Sequence, residues 1–190
     1  MEEENVIRKA TPEDSSEIAN YILLAMEDIL FQFIGAESTE KATIFLEQLA
    51  ERKGNQYSYE NCWVVEDKNG TIGVANIYDG AKLHELRLPV AELIFTMFNR
   101  DFHPEDETQA GEMYIDCIGV HPDYQGRGIG TKLFQFLKEE YVHKQNKILG
   151  LLVDADNPHA RRLYLKLGFE IQGEKTLVGK KMEHLQLMSD

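Results

Sequence analysis

One stretch between residues 120 and 131 combines a proline turn, three spaced glycines and the start of an apolar helical pattern. It reads Val120-His-Pro-Asp-Tyr-Gln-Gly-Arg-Gly-Ile-Gly-Thr131. Glycines let successive backbone N–H groups converge on one point, and the positive end of a helix behind them adds attraction for an anion. The chemistry that this stretch predicts is recognition of a phosphate group.

The spacing of the glycines narrows the choice of phosphate ligand. A Walker-type loop needs Gly-x-x-x-x-Gly-Lys-[Ser/Thr], and counting five residues on from Gly126 gives Thr131. The dinucleotide fingerprint Gly-x-Gly-x-x-Gly also fails, because Thr131 stands where its last glycine belongs. What remains is the pattern Gln125-x-x-Gly128-x-Gly130.

A second motif lies further along the chain, after a buried strand pattern. It reads Asn157-x-x-Ala160-x-x-Leu163-Tyr164 and is followed by Gly168-Phe169. Together the two motifs, within residues 112–170, resemble the core of the GCN5-related N-acetyltransferase superfamily, which binds the pyrophosphate of acetyl-CoA with Gln/Arg-x-x-Gly-x-Gly/Ala. The resemblance implies a mixed α/β fold, with a mostly antiparallel sheet of about seven strands and helices on both faces. It also implies acetyl-CoA as cosubstrate.

The resemblance assigns a coenzyme-binding role to residues of the strand, the loop and the second motif. These are Ile118, Val120, Gln125, Gly126, Arg127, Gly128, Ile129, Gly130, Thr131, Asn157 and Tyr164. In the family the strand offers its backbone to the pantetheine arm and the thioester, so Val120 is expected to contact the oxyanion. The plain alternative is that Ile118 and Val120 are core residues. Gly119 fits a strand bent near a ligand.

Other members of this set have both a functional and a structural interpretation. Tyr164 matches the family tyrosine that protonates the departing thiolate or donates a hydrogen bond to it, and it also belongs to an apolar helix face. With ordinary pKa values of about 10 for tyrosine and about 8.5 for a thiol, full proton transfer is uphill by about 2 kcal/mol. Asn157 would cap a helix in any protein. Arg127 adds a charge-assisted contact to phosphate or is simply exposed.

A base is needed because a protonated amine has no lone pair with which to attack. Asp116 and Glu112 alternate with Ile118 and Val120, which places these side chains on one face of the strand. Asp116 is nearer to the expected position of the thioester. Both carboxylates are candidate bases, and orienting the amine or simple solvation is the alternative.

The elements that position these residues follow from hydrophobic periodicity and turn signals. Strands are predicted at 5–9, 61–67, 71–78, 112–120, 147–153, 169–172 and 180–187. Helices are predicted from Thr11, over 39–52, over 128–143 and over 157–168, with an apolar face from Ile18 to Ile29 in the first. Residues 83–98 are predicted to be helical in part, with Pro89 interrupting them. We expect one domain over residues 1–190, in which residues 81–109 match no motif and form a substrate-side segment of uncertain structure.

The amino-acid composition limits the kinds of partner and the cellular location that we expect. The net charge is -13, from 20 Lys+Arg against 33 Asp+Glu, which disfavours nucleic acid. The acidic charges either attract a protonated amine or simply form a solvated surface. Met1-Glu2-Glu3-Glu4 lacks signal-peptide features and no apolar run reaches the length of a membrane span, so we expect a cytoplasmic protein without a membrane partner. Cys62 and Cys117 are expected to be reduced core residues, and the scattered histidines predict no metal. A homodimer is left open.

The sequence therefore predicts an acetyl-CoA-dependent N-acetyltransferase that acts by direct attack of a primary amine in a ternary complex. The identity of the amine stays open. The alternative is a catalytically silent module that binds or senses acyl-CoA.

Overall fold

A seven-stranded sheet organises the protein, whose computed structural model describes residues 5–189. The strands are β1 (Val6–Lys9), β2 (Cys62–Asp67), β3 (Gly70–Asp79), β4 (Glu112–Val120), β5 (Ile148–Asp154), β6 (Glu170–Leu177) and β7 (Lys180–Leu187). Their order is β1-β2-β3-β4-β5-β7-β6. The β4–β5 pair is parallel, whereas β1–β2, β2–β3, β5–β7 and β6–β7 are antiparallel. The prediction of about seven mostly antiparallel strands is confirmed. The segment Met1-Glu2-Glu3-Glu4 lies outside the described residues.

A helix is present at each predicted position, although the ends and the regularity of some helices differ from the prediction. They are α1 (Ser15–Ile34), α2 (Thr39–Ala50), α3 (Leu83–Phe98), α4 (Ile129–Leu137) and α5 (Pro158–Lys166). The helix predicted over 128–143 is α4 continued by a π-helical segment, Lys138–His143. Among the described residues no single helix has both the length and the apolar character of a membrane span. Pro12–Ile34 and Thr39–Ala50 pass that test only as a pair, bent by 96°.

The apolar face of α1 changes direction at Met26. Ile18, Tyr21 and Ile22 are buried, as the helical spacing predicts, but Ala25 is exposed. Met26 has φ -144° and ψ 35°, outside the helical region, so the second half of α1 is rotated relative to the first. The buried residues of that half are Leu30, Phe33 and Ile34. The single predicted face is therefore wrong at Ala25, and its members Met26 and Ile29 are half-buried.

Pro89 does not interrupt α3, contrary to the prediction. The helix runs unbroken from Leu83 to Phe98, and a 3-10 turn capped by the Asp79 side chain leads into it. A proline inside a helix removes one N–H donor and crowds the preceding turn. Here that cost is offset by apolar side chains buried at helical spacing on both sides of it, namely Leu83, Leu86, Val90, Leu93 and Ile94.

The chain forms two compact units, which interleave along the sequence. The first contains residues up to Ile77 together with His84–His103 and Cys117–Leu133. Its core includes Ile18, Ile22, Phe45, Leu46, Leu49, Val64, Val74 and Ile94. The second contains Tyr78–Leu83, Pro104–Asp116 and the chain from Phe134 onward. Its core includes Leu83, Tyr114, Leu137, Leu149, Leu151, Phe169 and Leu185. A single domain over the whole chain stays a prediction.

Both cysteines are free thiols in the interior. Cys62 is fully buried in the first unit, and Cys117 is 9% exposed on β4. This agrees with the expectation that both are reduced core residues.

Candidate active site

The glycine-rich segment is a turn followed by a helix start, and all of it lies in the first unit. After β4 ends at Val120, a 3-10 turn covers Pro122–Tyr124. His121 caps this turn, because its Nδ1 accepts a hydrogen bond from the backbone N of Asp123 at 3.2 Å. The chain then passes through Gly126 at φ +74° and Gly128 at φ +83°. Both lie in the left-handed region that residues with a Cβ rarely adopt, so the path of the loop requires glycine at these positions.

Helix α4 begins directly behind these glycines. Its first backbone hydrogen bond runs from the N of Lys132 to the O of Gly128, at 2.9 Å. The N–H groups of a helix's first turn have no acceptor within the helix and carry its positive end. Ile129 is buried and fixes the helix to the core, whereas Gly126 and Gly128 are exposed. The arrangement can hold an anion against main-chain amides.

Gln125 and Gly130 bring the loop back to the end of β4. The Gln125 side-chain amide donates to the backbone O of Val120 at 3.3 Å. A Cβ added to Gly130 would lie 3.9 Å from Cγ2 of Val120, an ordinary contact. Val120, Gln125 and Gly130, which the sequence predicted as coenzyme-binding residues, therefore lie close together. Thr131, in the first turn of α4, is half-buried.

Gly119 is required by the packing of α1 on β4, and its place near a ligand stays a prediction. A Cβ at this position would come within 2.2 Å of the backbone O of Tyr21 in α1. The glycine is needed because the helix backbone crosses closely over the strand. The flanking Ile118 and Val120 are both half-buried.

Glu112 lies at the start of β4 in a buried polar cluster of the second unit. Its carboxylate accepts hydrogen bonds from Thr108 Oγ1 at 2.6 Å and from Gln186 Nε2 at 2.7 Å, and His184 Nε2 lies 2.8 Å away. Burial raises the pKa of Glu112, but the hydrogen bonds from His184, Gln186 and Thr108 outweigh it, so the pKa lies below its ordinary value. With no exposed side-chain surface, this carboxylate is poorly suited to collect a proton from a substrate.

Asp116 lies four residues further on and is half-buried. Its carboxylate accepts a hydrogen bond from the Tyr78 hydroxyl at 3.0 Å, and the same hydroxyl lies 3.2 Å from Glu107. Tyr78 is 2% exposed and Glu107 is 3% exposed, so the interior side of Asp116 is fixed by buried groups. Among the two candidate bases, only Asp116 retains access to solvent.

The second motif folds as predicted, also in the second unit. Asn157 caps α5, because its Oδ1 accepts from the N of Ala160 at 3.1 Å. Tyr164 is half-buried, with its ring edge-on to Phe134 at 5.3 Å and to Phe169 at 6.1 Å between centroids. These contacts fix the ring through packing. The roles of Asn157 and Tyr164 toward a coenzyme stay predictions.

Several residues of these sites were not singled out from the sequence. Tyr78 contacts Asp116 and Glu107 contacts Tyr78, but the sequence placed them only in a strand and in the segment of uncertain structure. Residues 101–109 are indeed irregular, but Glu107 and Thr108 are buried rather than solvated. His184 pairs with a carboxylate far away in sequence. Within residues 5–189 no group of three His, Cys, Asp or Glu side chains is placed to hold a metal ion.

Comparison with models of protein families shows which family has this sequence. The model of the acetyltransferase (GNAT) family matches residues 23–169. The chain belongs to this family. The match includes the glycine loop, both candidate bases and the whole second motif, so the resemblance seen in the two motifs is confirmed over most of the chain.

Individual members of the GNAT family are similar over shorter or longer ranges. An acetyltransferase of Sodalis glossinidius is 37% identical over 65 residues, which are 34% of this chain and 46% of that protein. The spermine/spermidine N(1)-acetyltransferase of Bacillus subtilis is 32% identical over 92 residues, 46% of this chain and 59% of that protein. The match therefore spans about half the length of these curated relatives. An N-acetyltransferase structure from Staphylococcus aureus superimposes with a TM-score of 0.84 at 26% identity, covering 96% of this chain and 100% of that one.

Proposed function

We propose that this protein transfers the acetyl group of acetyl-CoA to a primary amine by direct attack in a ternary complex. The observation that carries the proposal is the glycine loop at the start of α4. Its two left-handed glycines expose main-chain amides in the sequence pattern of the GNAT family. Such a loop suits the diphosphate of a coenzyme, because several N–H groups and a helix end act on one anion together.

The reaction needs one bond to form and one to break. The amine nitrogen attacks the thioester carbonyl carbon, the carbon–sulfur bond breaks, and the nitrogen gives up a proton. The backbone N–H of Val120 is assigned to the oxyanion, where one such donor lowers the barrier by about 3 kcal/mol. The proton goes to Asp116, directly or through water, and the Tyr164 hydroxyl donates a hydrogen bond to the leaving sulfur. Neither buried cysteine takes part.

The net charge of the protein favours a cationic amine as the acceptor. A net charge of -13 attracts cationic amines from solution. One relative acts on spermine and spermidine by its name, so polyamines belong at the head of a panel of candidates. Amino acids, antibiotic-like amines and protein lysines or N-termini complete it.

The experiment is a thiol-release assay with acetyl-CoA and this amine panel, followed by mass spectrometry of the acetylated product. We expect at least one amine to give stoichiometric thiol and acetyl-amine. Binding of acetyl-CoA without thiol release for any amine would favour the silent acyl-CoA-binding module instead.

The variant Tyr164→Phe sharpens the choice between enzyme and module. The ring and its packing on Phe134 and Phe169 stay, and only the hydroxyl is removed. We expect kcat to fall by about tenfold or more, with little change in the Kd of acetyl-CoA. Tyr141→Phe, at a buried tyrosine of the π-helical segment, serves as the matched control.

A further inference from the structure

The glycine loop is attached to the β2–β3 hairpin through one tyrosine. The hydroxyl of Tyr124, in the 3-10 turn before the loop, donates to Oδ2 of Asp67 at 2.5 Å. The hydroxyl oxygen of Tyr124 in turn accepts a hydrogen bond from Nδ2 of Asn69 at 3.2 Å. All of these residues lie in the first unit. A phenol that donates to a carboxylate and accepts from an amide uses its hydrogen-bonding capacity in two fixed directions.

The hairpin end of this contact is itself fixed. The turn from Asp67 to Gly70 is held by a hydrogen bond from the backbone N of Asn69 to Oδ1 of Asp67, at 2.7 Å. Gly70 has φ +122° and pairs with Asp67 across the hairpin. The hydrogen bond from Tyr124 lowers the pKa of Asp67 below its ordinary value, so the acceptor is charged at neutral pH. Charge-assisted hydrogen bonds of this kind are shorter and stronger than neutral ones.

Tyr124 also contacts the loop on its other side. The guanidinium carbon of Arg127 lies 5.3 Å from the centre of the Tyr124 ring, within the range of a cation–π contact. Arg127 is exposed and stands between the two left-handed glycines. A segment with two exposed glycines has many alternative conformations, so a fixed point beside it reduces the entropy lost when a ligand orders it.

We infer that Tyr124, held by Asp67 and Asn69, is a positioning residue that preorganises the glycine loop and Arg127 for the phosphate groups of the coenzyme. The inference rests on the proposed function, because it presumes that acetyl-CoA binds at this loop. Tyr124 acts through the loop and takes no part in acetyl transfer. Its contribution therefore belongs to the affinity for phosphate and not to kcat.

The test compares two ligands that differ in their phosphates. Calorimetry on the full chain measures the Kd of acetyl-CoA and of S-acetylpantetheine, which lacks the phosphates. In Tyr124→Phe we expect acetyl-CoA to bind about five- to tenfold more weakly, because the coenzyme must then order the loop itself. The Kd of S-acetylpantetheine should stay the same, and the melting temperature without ligand should fall by no more than about 2–4 °C, because the hydrogen bond is also lost in the free protein. Tyr59→Phe, at another half-buried tyrosine of the first unit, is the matched control.

A pair of variants at Asp67 separates positioning from simple charge. Asp67→Asn keeps an oxygen that can accept from Tyr124, so we expect near wild-type affinity for acetyl-CoA. Asp67→Ala removes the acceptor and should weaken binding as Tyr124→Phe does. If the carboxylate acted only by repelling phosphate, both substitutions would tighten binding, which is the opposite sign.

The outcomes distinguish the inference from the proposed function. If the wild-type protein binds no acetyl-CoA, both are overturned. If the wild type binds acetyl-CoA and Tyr124→Phe binds it equally well, only the positioning role is overturned. An equal loss of affinity for S-acetylpantetheine also overturns it, because the effect then does not pass through the phosphates. Should Tyr124→Phe fail to fold, the Asp67 pair gives the decision.

Discussion

The first residue and the middle residue of β4, Glu112 and Asp116, are carboxylates on the same face of the strand, and their surroundings differ. Glu112 is buried and meets Thr108, His184 and Gln186. Asp116 is half-buried and meets the hydroxyl of Tyr78. Alternation along the strand made both residues candidate bases, with Asp116 nearer to the expected position of the thioester. Burial and the number of donors separate them, which indicates that Glu112 stabilises the fold and that Asp116 is available for chemistry.

The largest effect is expected from removing the buried carboxylate. Glu112→Ala leaves the donors of His184, Gln186 and Thr108 without their shared acceptor and opens a cavity. We expect the free energy of unfolding to fall by about 3 kcal/mol or more, as for other buried charged networks that lose one member. Urea unfolding followed by circular dichroism measures it. Asp116→Ala is the matched control and should change the free energy of unfolding by less than about 1 kcal/mol. Equal losses for both would remove the distinction.

The next largest effect is on turnover, where substitution of Asp116 is expected to matter more than substitution of Glu112. Asp116→Asn keeps the shape and an acceptor for Tyr78 but cannot take a proton. We expect kcat for the best amine to fall by about 100-fold, within the usual range for a general base, with the Kd of acetyl-CoA unchanged. Steady-state kinetics and calorimetry on the same preparation measure both quantities. A wild-type kcat in Asp116→Asn would exclude Asp116 as the base.

A glycine beside Glu112 gives a smaller and independent test. A Cβ at Gly150 on β5 would lie 2.2 Å from Oε2 of Glu112, so Gly150→Ala must displace the carboxylate from its donors. We expect a loss of about 1–3 kcal/mol in the free energy of unfolding. Gly173→Ala, on β6, is the control, because an added Cβ there meets nothing within 4 Å. If Gly150→Ala is as stable as the control, the cluster around Glu112 is not tightly packed.

The smallest expected effect is the pH dependence of stability. The pKa of Glu112 is lowered in the folded protein, so its contribution is fully present above the unfolded pKa and is lost as pH falls through the folded pKa. Between neutral pH and about pH 4, the wild type should therefore lose more free energy of unfolding than Glu112→Gln does. Urea titrations at both pH values give the difference. A greater acid sensitivity in Glu112→Gln would contradict the lowered pKa.

The comparison also shows which parts of the molecule the sequence could predict. The glycine loop depends on neighbours within a few residues, because left-handed glycines and a helix start are local features, and it lies where predicted. The surroundings of Glu112 depend on His184 and Gln186, more than 70 residues away, and no local pattern reports such a contact. The same reason explains why Tyr78, 38 residues before Asp116 in the sequence, was missed.

Two errors in the helices have a similar origin. The rotation at Met26 in α1 and the continuity of α3 through Pro89 are both decided by packing. Intrinsic preferences predict a regular helix at the first site and a break at the second. Burial of the apolar side chains on either side of each site stabilises the observed structure. This stabilisation is larger than the free energy lost with one backbone hydrogen bond.

The central claim is that main-chain amides of the loop hold the diphosphate of acetyl-CoA, and a crystal structure of the protein grown with CoA tests it most directly. We predict diphosphate oxygens within hydrogen-bonding distance of backbone N–H groups between Gln125 and Thr131. Coenzyme bound elsewhere, or a loop whose amides are occupied by the protein's own side chains at saturating CoA, would contradict the account.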